Sequence, residues 1–473
     1  MQLPPNVDSR LIARAGMLLC ALMAALLIAP AWASFATGTG IARVPNPTST
    51  DQGYGIALQS DGKIVVAGRC GESGAKLCVA RLNADGTIDA TFNANGVVPG
   101  KRVIDGLSMH TSSFLRAVKV AIAVDGKIVV ATTCDVSNVD NFCLARLNPD
   151  GSYDEAFDGP DVANPGNGRF GLRITTSLGE ALSDFALQRI DGRIILVGQC
   201  ANYACVARLK SSDGSFDTDV GDFGLIGPAA ADRPPSDPSV NGRFLFRFPS
   251  KFNSAGVSDA VAVETTNEGK IVIAGTCGTS ALELCLTKFN RDGSFDTDFR
   301  GDSLPVGQGG RVRIVTVDES GNDVKQRAAD IKMQNDGRFL VQCGYFRSSS
   351  WSQCMYRINS GGDVATSFSS GLPFPSEPGR VVYNAIGDAL AFAITPGAGT
   401  NANRIVTLGN CDGVGGFTGG TSCVTAIRNG TGAANADGVI DASLIGPNGD
   451  QAGTYYFRTR GLTVRNNNTR EIV

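Results

Sequence analysis

Six pairs of cysteines recur along this chain at nearly constant spacing, and they constrain its fold more than any other feature. Twelve of the thirteen cysteines belong to these pairs, whose first members lie 64, 66, 77, 66 and 68 residues apart. Such self-similarity at a fixed period is typical of repeat proteins, in which each unit buries its apolar face against the next. The pairs are Cys70 with Cys78, Cys134 with Cys143, Cys200 with Cys205, Cys277 with Cys285, Cys343 with Cys354, and Cys411 with Cys423.

Residues 1–33 have the features of a secretory signal peptide. Two arginines precede the apolar run 15–28, and the small-x-small sequence at 31–33 matches a cleavage site. The run is shorter than the roughly 20 residues that span a bilayer, so we expect no stable membrane span. Cys20 is lost with this segment. We therefore expect the mature chain, 34–473, to be periplasmic or extracellular.

Twelve cysteines in an exported chain predict disulfides rather than free thiols. Cysteine pairs also build zinc sites, but these pairs, 5 to 12 residues apart, lack the Cys-x2-Cys spacing of such sites. Opposed positions of two paired strands bring Cα atoms within the range of a disulfide. We therefore predict one hairpin disulfide in each repeat, with no metal and no cofactor.

The charge distribution disfavours nucleic acid as a partner. The chain has 42 basic and 45 acidic residues, without any run of lysine or arginine, whereas nucleic-acid-binding domains carry basic patches. Its 59 glycines and 20 prolines favour turns and short strands over long helices.

Each repeat predicts a four-stranded antiparallel meander. Its best-preserved part is a β-branched run entered through a tight turn, such as DGKIVVAG at 61–68. An apolar segment precedes this run, the second cysteine opens a third strand such as CVARL at 78–82, and a fourth strand follows, such as KRVID at 101–105. The repeats cover approximately 50–105, 114–175, 181–249, 256–317, 325–385 and 387–459.

Six such sheets bury their apolar faces most simply as the blades of a β-propeller. The predicted fold is therefore an all-β propeller that occupies 34–473 as a single domain, and an open solenoid is the alternative. Residues 40–44 resemble an isolated fourth strand, and residues 461–473 resemble a first strand with part of a second. The propeller thus has six blades, or seven if both terminal segments share a composite blade.

The strings DGKIVVAG at 61–68 and CVARLNADGTIDATF at 78–92 resemble the delta-60 repeat, a bacterial β-propeller repeat. The resemblance covers essentially the whole mature chain. The fifth repeat departs from it, because Gly361 and Ala365 replace two aspartates. The resemblance implies a propeller that works outside the cytoplasm and implies no common activity, and the paired cysteines are an addition to its pattern.

Two repeated polar patterns are interpreted as parts of the scaffold. The sequence Asn-x-Asp-Gly-Ser/Thr-x-Asp, as at 83–89, resembles part of a calcium loop, but Arg81 and Phe92 stand where its first and last acidic ligands belong. A turn closed by Asn and Asp side chains is the simpler interpretation. The basic residue of the third strand, Arg81 in the first repeat, is predicted to pair with Asp89.

The residue inventory limits the chemistry that the chain can perform. It has a single histidine, His110, which argues against Ser-His-Asp, Cys-His and multi-histidine metal mechanisms. A carboxylate pair of the glycosidase type needs no histidine. The alternative function is therefore a carboxylate-dependent glycan hydrolase with its site at the channel mouth.

The preferred function is binding without catalysis. In a meander propeller, the connections between second and third strands share one face with those between blades, and the disulfides make that face rigid. Rigid scaffolds with variable loops commonly form binding surfaces. We expect a monomer that engages a protein or a cell-envelope glycan there. Residues 344–353 are predicted to form its main loop, with the hot-spot residue types Tyr345, Phe346, Arg347 and Trp351.

Overall fold

The computed structural model shows an all-β molecule, because every regular element in the described residues is a strand. Those residues contain no helix long and apolar enough to cross a membrane. The described ranges are 52–70, 76–109, 118–136, 139–160, 167–175, 179–219, 242–248, 257–278, 282–301, 309–316, 323–347, 350–368, 379–386, 389–394, 405–410, 421–427 and 454–458.

Several predicted features lie outside these ranges. They are the signal peptide at 1–33, the closing segments 40–44 and 461–473, His110 and Cys411.

Within the described ranges, 24 strands follow one another in sets of four, and each set is an antiparallel meander. We call these sets units one to six. The strands of units one to three are β1 (Gln52–Leu58), β2 (Ile64–Cys70), β3 (Lys76–Leu82), β4 (Lys101–Met109), β5 (Val118–Ile122), β6 (Ile128–Val136), β7 (Val139–Leu147), β8 (Arg169–Leu172), β9 (Glu180–Leu187), β10 (Ile194–Cys200), β11 (Tyr203–Leu209) and β12 (Arg243–Phe246).

The predicted four-strand repeat continues through the second half of the chain. The strands of units four to six are β13 (Val257–Thr265), β14 (Ile271–Gly278), β15 (Glu283–Phe289), β16 (Arg311–Ile314), β17 (Gln326–Met333), β18 (Phe339–Arg347), β19 (Ser350–Ile358), β20 (Arg380–Ile386), β21 (Ala389–Ile394), β22 (Ile405–Asn410), β23 (Thr421–Ile427) and β24 (Thr454–Arg458).

Units one and two share one eight-stranded sheet, whereas units three to six are separate four-stranded sheets. β4 has nine residues, and its last two, Ser108 and Met109, pair with Asp135 and Cys134 of β6. The expectation of separate sheets therefore holds for units three to six. It does not hold for the first two, because the long fourth strand reaches into the next unit.

The hairpins between first and second strands depend on the predicted Asp-Gly turns. Gly62 has a φ of 83°, a left-handed value that glycine adopts without a Cβ clash. The Gln59 N–H donates to the Lys63 carbonyl at 2.8 Å, and the Lys63 N–H donates to Asp61 Oδ1 at 3.1 Å. The side chain and the glycine together close the turn, which starts the second strand in register.

The apolar core lies between successive units. One cluster of buried side chains occupies each of the five junctions from unit one to unit six. At the junction of units four and five, for example, Ile331 of β17 packs with Val272 and Leu284. The first strands of successive units lie side by side. The first strand is therefore the inner edge of each unit, and the fourth strand is the outer edge.

Five of the predicted disulfides are present, one in each of units one to five. The expectation that the two cysteines face each other is wrong in units one to four, where they are diagonal: Cys78 pairs with Gly68, two residues before Cys70. In unit five, Cys343 occupies the register of Gly68 and lies directly opposite Cys354. The Cα atoms are accordingly 4.8 Å apart there and 5.8 to 6.1 Å apart in the other units.

Candidate functional site

The candidate binding residues lie at the tip of a β-hairpin rather than in a loop. β18 runs to Arg347 and β19 begins at Ser350, so that Phe346 pairs with Trp351 across the two strands. The predicted loop at 344–353 is therefore wrong. Aromatic residues favour a pleated, half-buried surface, and the strand ladder continues through them beyond the disulfide.

Tyr345 does not belong to the exposed surface of this tip. Its side chain is 5% exposed and lies in the core between units four and five. The Arg380 guanidinium lies 4.8 Å from the centre of its ring. Successive residues of a strand point to opposite faces, so Tyr345 faces this core whereas Phe346 faces away from it. The side chain of Arg347 lies outside the described part of the chain.

Two aromatic and two basic side chains form the feature that we call the aromatic tip: Phe346, Trp351, Lys325 and Arg327. The two rings are 5.2 Å apart and inclined by 58°, and both side chains are partly exposed. Arg327 Cζ lies 4.1 Å from the centre of the Trp351 ring, and Lys325 Nζ lies 5.9 Å from that of Phe346. Cations at these distances are attracted by the faces of the rings.

The backbone of unit five places these four side chains on one face. Arg327 pairs with Gly344 in the β17–β18 ladder, and the Phe346 N–H donates to the Lys325 carbonyl at 2.9 Å. A Cβ on Gly344 would lie 3.2 Å from Trp351 Cε3, so the absence of a side chain there leaves room for the indole. The sequence alone did not identify Lys325 or Arg327, because they reach the tip through strand pairing and not through chain proximity.

A repeated ion pair lies near the end of the units that is opposite to the hairpin between the second and third strands. The predicted pairing of the third-strand cation with the later aspartate is present in units one to four, and a second cation from the hairpin turn contacts the same aspartate. The first pairs are Arg81–Asp89 at 2.7 Å, Arg146–Asp154 at 2.6 Å, Arg208–Asp217 at 2.7 Å and Lys288–Asp296 at 3.1 Å. The second are Lys63–Asp89 at 3.1 Å, Lys127–Asp154 at 3.0 Å, Arg193–Asp217 at 2.9 Å and Lys270–Asp296 at 2.9 Å.

These cations also bind the following unit. Arg146 Nη2 donates to the Ser212 carbonyl at 2.7 Å, and Arg208 Nη1 donates to the Arg291 carbonyl at 2.6 Å. Lys288 Nζ donates likewise to the Ser360 carbonyl at 3.2 Å. Each acceptor lies in the turn after the third strand of the next unit. The ion pairs therefore join neighbouring units and are part of the scaffold.

The first of these aspartates shows the electrostatic effect. Burial raises the pKa of Asp89, but hydrogen bonds from Thr91 and Lys63 and the charge of Arg81 outweigh burial and lower that pKa to about 2. Unit five has no such aspartate: Arg357 Nε donates instead to Gln334 Oε1 at 2.9 Å. In unit five, a neutral amide therefore takes the place of the carboxylate as the hydrogen-bond acceptor of the third-strand cation.

The aspartates of the repeated turn hold the backbone. Asp85 Oδ1 accepts hydrogen bonds from the Thr87 N–H at 2.9 Å and the Thr87 hydroxyl at 2.6 Å, and these bonds lower the pKa of Asp85. Among the described residues, one group has the geometry of a metal site: Cys277, Glu283 and Cys285. Its two cysteines are joined in a disulfide, which removes them as thiolate ligands.

Three acidic residues on the inner strands were missed by the sequence analysis: Asp184 and Asp330, which occupy equivalent positions of units three and five, and Glu264 of unit four. Asp184 Oδ2 accepts the Val263 N–H at 3.0 Å, and Asp330 Oδ2 accepts the Phe392 N–H at 3.3 Å. Glu264 Oε2 accepts the Met333 N–H at 3.3 Å. Each of these hydrogen bonds joins one unit to the first strand of the next unit. It gives a partner to a backbone N–H group on the edge of that sheet, which would otherwise be unpaired.

Basic residues accompany these acids. Lys119 Nζ lies 2.9 Å from Asp184, and Arg189 Nη2 lies 3.3 Å from Glu264. Lys332 Nζ lies 3.5 Å from Asp330, and the charges of Asp330, Asp184 and Glu264 raise the pKa of Lys332 against the effect of burial. Alignment by strand register would have singled these positions out, because charged residues stand in some units where glycine or alanine stands in others: Lys119, Asp184 and Asp330 share one register position, and Glu264 and Lys332 share another.

A family model described as a domain of unknown function (DUF5122) beta-propeller matches residues 59–92, 125–157 and 267–299. Each match runs from the region of the first hairpin turn to the phenylalanine after the buried aspartate, so the matched segments contain the repeated ion pair. The matches support a β-propeller repeat family. No curated protein sequence matches the chain.

Several solved structures resemble the chain at low sequence identity. A polysaccharide lyase, an ulvan lyase bound to an oligosaccharide, shares 9% identity over 84% of this chain and 83% of its own, with a TM-score of 0.43. A putative 6-phosphogluconolactonase from Bacteroides uniformis shares 12% identity over 85% and 84%, with a TM-score of 0.42. A protein of unknown function from Dyadobacter fermentans shares 11% over 80% and 94%, with a TM-score of 0.38.

Proposed function

We propose that this chain is an exported β-propeller with six four-stranded blades, which binds a protein or a cell-envelope glycan without catalysis. The observation that carries the proposal is the aromatic tip. Strand pairing holds its half-buried rings in place, and the positive charges of Lys325 and Arg327 lie beside these rings. Aromatic residues and arginine are the types that contribute most to binding energy at interfaces.

The scaffold supports binding because it holds the tip rigid. The Cys343–Cys354 disulfide joins β18 to β19 three residues away from the pair of Phe346 and Trp351. The side chain of Tyr345, in the same strand as Phe346, is buried in the core between units four and five. A site that is ordered before binding loses less conformational entropy when the partner arrives. Five disulfides also indicate that the chain works in an oxidising, extracytoplasmic environment.

The charges of the tip favour an acidic glycan over a neutral one. An aromatic ring stacks on the apolar face of a sugar, while an ammonium or guanidinium pairs with a carboxylate or sulfate on it. Lys325 and Arg327 provide these cations beside the two rings. An ionic contribution of this kind weakens as salt rises.

The acids of the inner strands support binding over hydrolysis. A glycosidase needs two carboxyl groups that face the scissile bond. Asp184, Glu264 and Asp330 instead accept backbone N–H groups of the next unit and pair with basic side chains. These contacts assign the three acids to the junctions between units.

A retention assay tests the proposal. The mature protein, residues 34–473 with its disulfides formed, is immobilised and exposed to envelope glycans and envelope proteins of the producing cell. The test variant is Phe346→Ala with Trp351→Ala. The control is Val124→Ala with Ile190→Ala, since these side chains are exposed at turns on the opposite ends of the strands. Both variants must melt at the temperature of the parent.

We expect the parent and the control to retain an acidic glycan, and the tip variant to lose at least about tenfold in affinity, which is about 1.4 kcal/mol. Retention that is equal in all three proteins would show that the tip is not the site. Shortening of the glycan during incubation, abolished by Asp330→Asn, would contradict a non-catalytic function and support the hydrolase.

A further inference from the structure

Two arginines from neighbouring units stack on one tyrosine at the outer edge of units one and two. Arg102 Cζ, in β4, lies 4.1 Å from the centre of the Tyr153 ring, and Arg169 Cζ, in β8, lies 4.3 Å from the same centre. Two guanidiniums at these distances do not fit on one face of a ring, so they lie on its opposite faces. All three side chains are partly exposed. We call these three residues the arginine sandwich.

One of the two arginines belongs to the repeat. The fourth strand begins with an arginine in units two to five. In units two to four, this arginine stacks on an aromatic ring of its own unit, which is an attractive cation–π contact. The pairs are Arg169–Tyr153 at 4.3 Å, Arg243–Phe216 at 4.2 Å and Arg311–Phe295 at 4.6 Å. A single stacked arginine is therefore part of the scaffold.

The other arginine departs from the repeat. Arg102 pairs with Val79 in the β3–β4 ladder. The residues at the same register position of the other five units are apolar or aromatic, and those of units two to five are buried. A charged residue at such a position breaks the local pattern, and departures of this kind are expected at functional sites. The five residues are Phe170, Phe244, Val312, Val381 and Tyr455.

Neither arginine of the sandwich forms an ion pair with an acid in the described part of the chain. Arg102 Nη1 donates to Asn93 Oδ1 at 3.0 Å, and its Nε is buried without an acceptor among the described residues. Arg169 donates from Nε to the Asp105 carbonyl and from Nη1 to the Asn167 carbonyl at 2.9 Å. These acceptors are all neutral. The two positive charges are therefore not compensated and repel each other.

We propose that the arginine sandwich binds a tetrahedral oxyanion, a phosphate or sulfate group. Guanidiniums bind such groups through charge-assisted hydrogen bonds. A carboxylate has two oxygens and suits one guanidinium, whereas a phosphate group on a larger molecule has three and can accept from both arginines. Tyr153 and the neutral acceptors hold the guanidiniums in place before the anion arrives, which lowers the entropic cost of binding. The site is in other units than the aromatic tip and is independent of the binding proposed there.

Thermal unfolding of the mature chain, 34–473, tests the proposal in sodium phosphate and in sodium chloride of equal ionic strength. A ligand that binds only the folded state raises the melting temperature, so the parent should melt higher in phosphate. Arg102→Leu restores the residue type of the other units. Its affinity for phosphate, taken from the concentration dependence, should fall at least about tenfold, because one of two charge-assisted contacts is lost. The control Arg243→Leu removes an arginine that stacks alone and should respond like the parent.

A polymer probe distinguishes a free anion from an oxyanion carried by a larger ligand. Retention on dextran sulfate and on uncharged dextran is compared in a background with Lys325→Gln and Arg327→Gln, which removes the cations of the aromatic tip. If Arg102→Leu loses retention on dextran sulfate and the parent does not respond to phosphate, the ligand is a polymer-bound oxyanion. Arg102→Gln replaces Arg102→Leu if the latter does not fold. If neither the phosphate response nor the retention changes in the Arg102 variant, the proposal is overturned.

Discussion

Units one to four and unit five have the same four strands but hold their buried cations differently. In units one to four, an aspartate binds two cations, one of which also reaches the next unit. In unit five, Ala365 occupies the place of that aspartate, and Arg357 donates to Gln334. Unit five also has the directly opposed disulfide and the aromatic tip. A unit therefore keeps its four strands when its ion pair changes. The unit in which the ion pair has changed is the one that carries the candidate site.

The largest expected effect on stability comes from removing the buried third-strand cation of one of units one to four. Arg208 and Asp217 are both fully buried, so Arg208→Met removes one of the two cations that contact Asp217 and leaves Arg193 as the other. We expect the free energy of unfolding to fall by about 3 kcal/mol, measured by urea denaturation. Arg357→Met should cost less, because Gln334 carries no charge. Equal losses in the two variants would remove the distinction between the units.

A surface pair provides the matched control for Arg208→Met. Lys210 lies 2.9 Å from Asp219, and the two side chains are 30% and 48% exposed. Pairs of this kind contribute about 0 to 1 kcal/mol. Lys210→Met should therefore unfold at nearly the same urea concentration as the parent.

The disulfide of unit five should affect binding as well as stability. Replacing both Cys343 and Cys354 by serine opens a loop of 11 residues and should lower the free energy of unfolding by about 2 to 3 kcal/mol. It should also weaken retention of the partner, since the strands behind the tip lose their cross-link. The same change at Cys200 and Cys205 should lower stability and leave retention unchanged. Equal retention by the two serine variants would show that the tip does not depend on its disulfide.

As the pH falls, units one to four should lose stability before unit five does. The pKa of Asp89 is lowered to about 2 in the folded chain, against about 3.9 in an unfolded one. A group with a depressed folded pKa contributes stability above its unfolded pKa and loses it as the pH falls through its folded pKa. We therefore expect about 2 kcal/mol to be lost between roughly pH 4 and pH 2. Asp89→Asn should flatten this part of the stability curve, and an unchanged curve would contradict the assignment.

The smallest expected effect is a gain from restoring the missing aspartate. Ala365→Asp places a carboxylate near Arg357 and should raise the free energy of unfolding by about 1 kcal/mol. Calorimetry of the parent and the variant measures the change. A loss of stability would mean that Gln334 already satisfies the cation and that the new carboxylate is buried at a net cost.

Much of the scaffold could be predicted from the sequence because its signals are local and repeated. The Asp-Gly turns, the β-branched runs and the cysteine spacing each depend on a few neighbouring residues, and they predicted the four-strand units and five of the disulfides. The pairing of Arg81 with Asp89 was also predictable, since the two residues recur together in four units. Repetition made each weak local signal strong.

The candidate site was only partly predictable. The residue types in the sequence identified Phe346 and Trp351, but the prediction placed them in a loop together with Tyr345. In the structure all three lie on strands, and the side chain of Tyr345 points into the core. Lys325 and Arg327 were missed, because they join the tip across β17 and β18. The acids Asp184 and Asp330 were missed for the same reason: their partners are backbone groups of the next unit.

The sequence by itself determined the repeat, the turns, the strands and the pairs of cysteines, because these follow from the alternation of side chains and the conformational preferences of single residues. The tertiary structure alone decided which side chains meet between strands and between units. Register sets whether two cysteines are diagonal or opposed, and whether a tyrosine points inward or outward, since a shift of one residue turns a side chain to the other face. Contacts between units likewise exist only after the sheets have packed against each other.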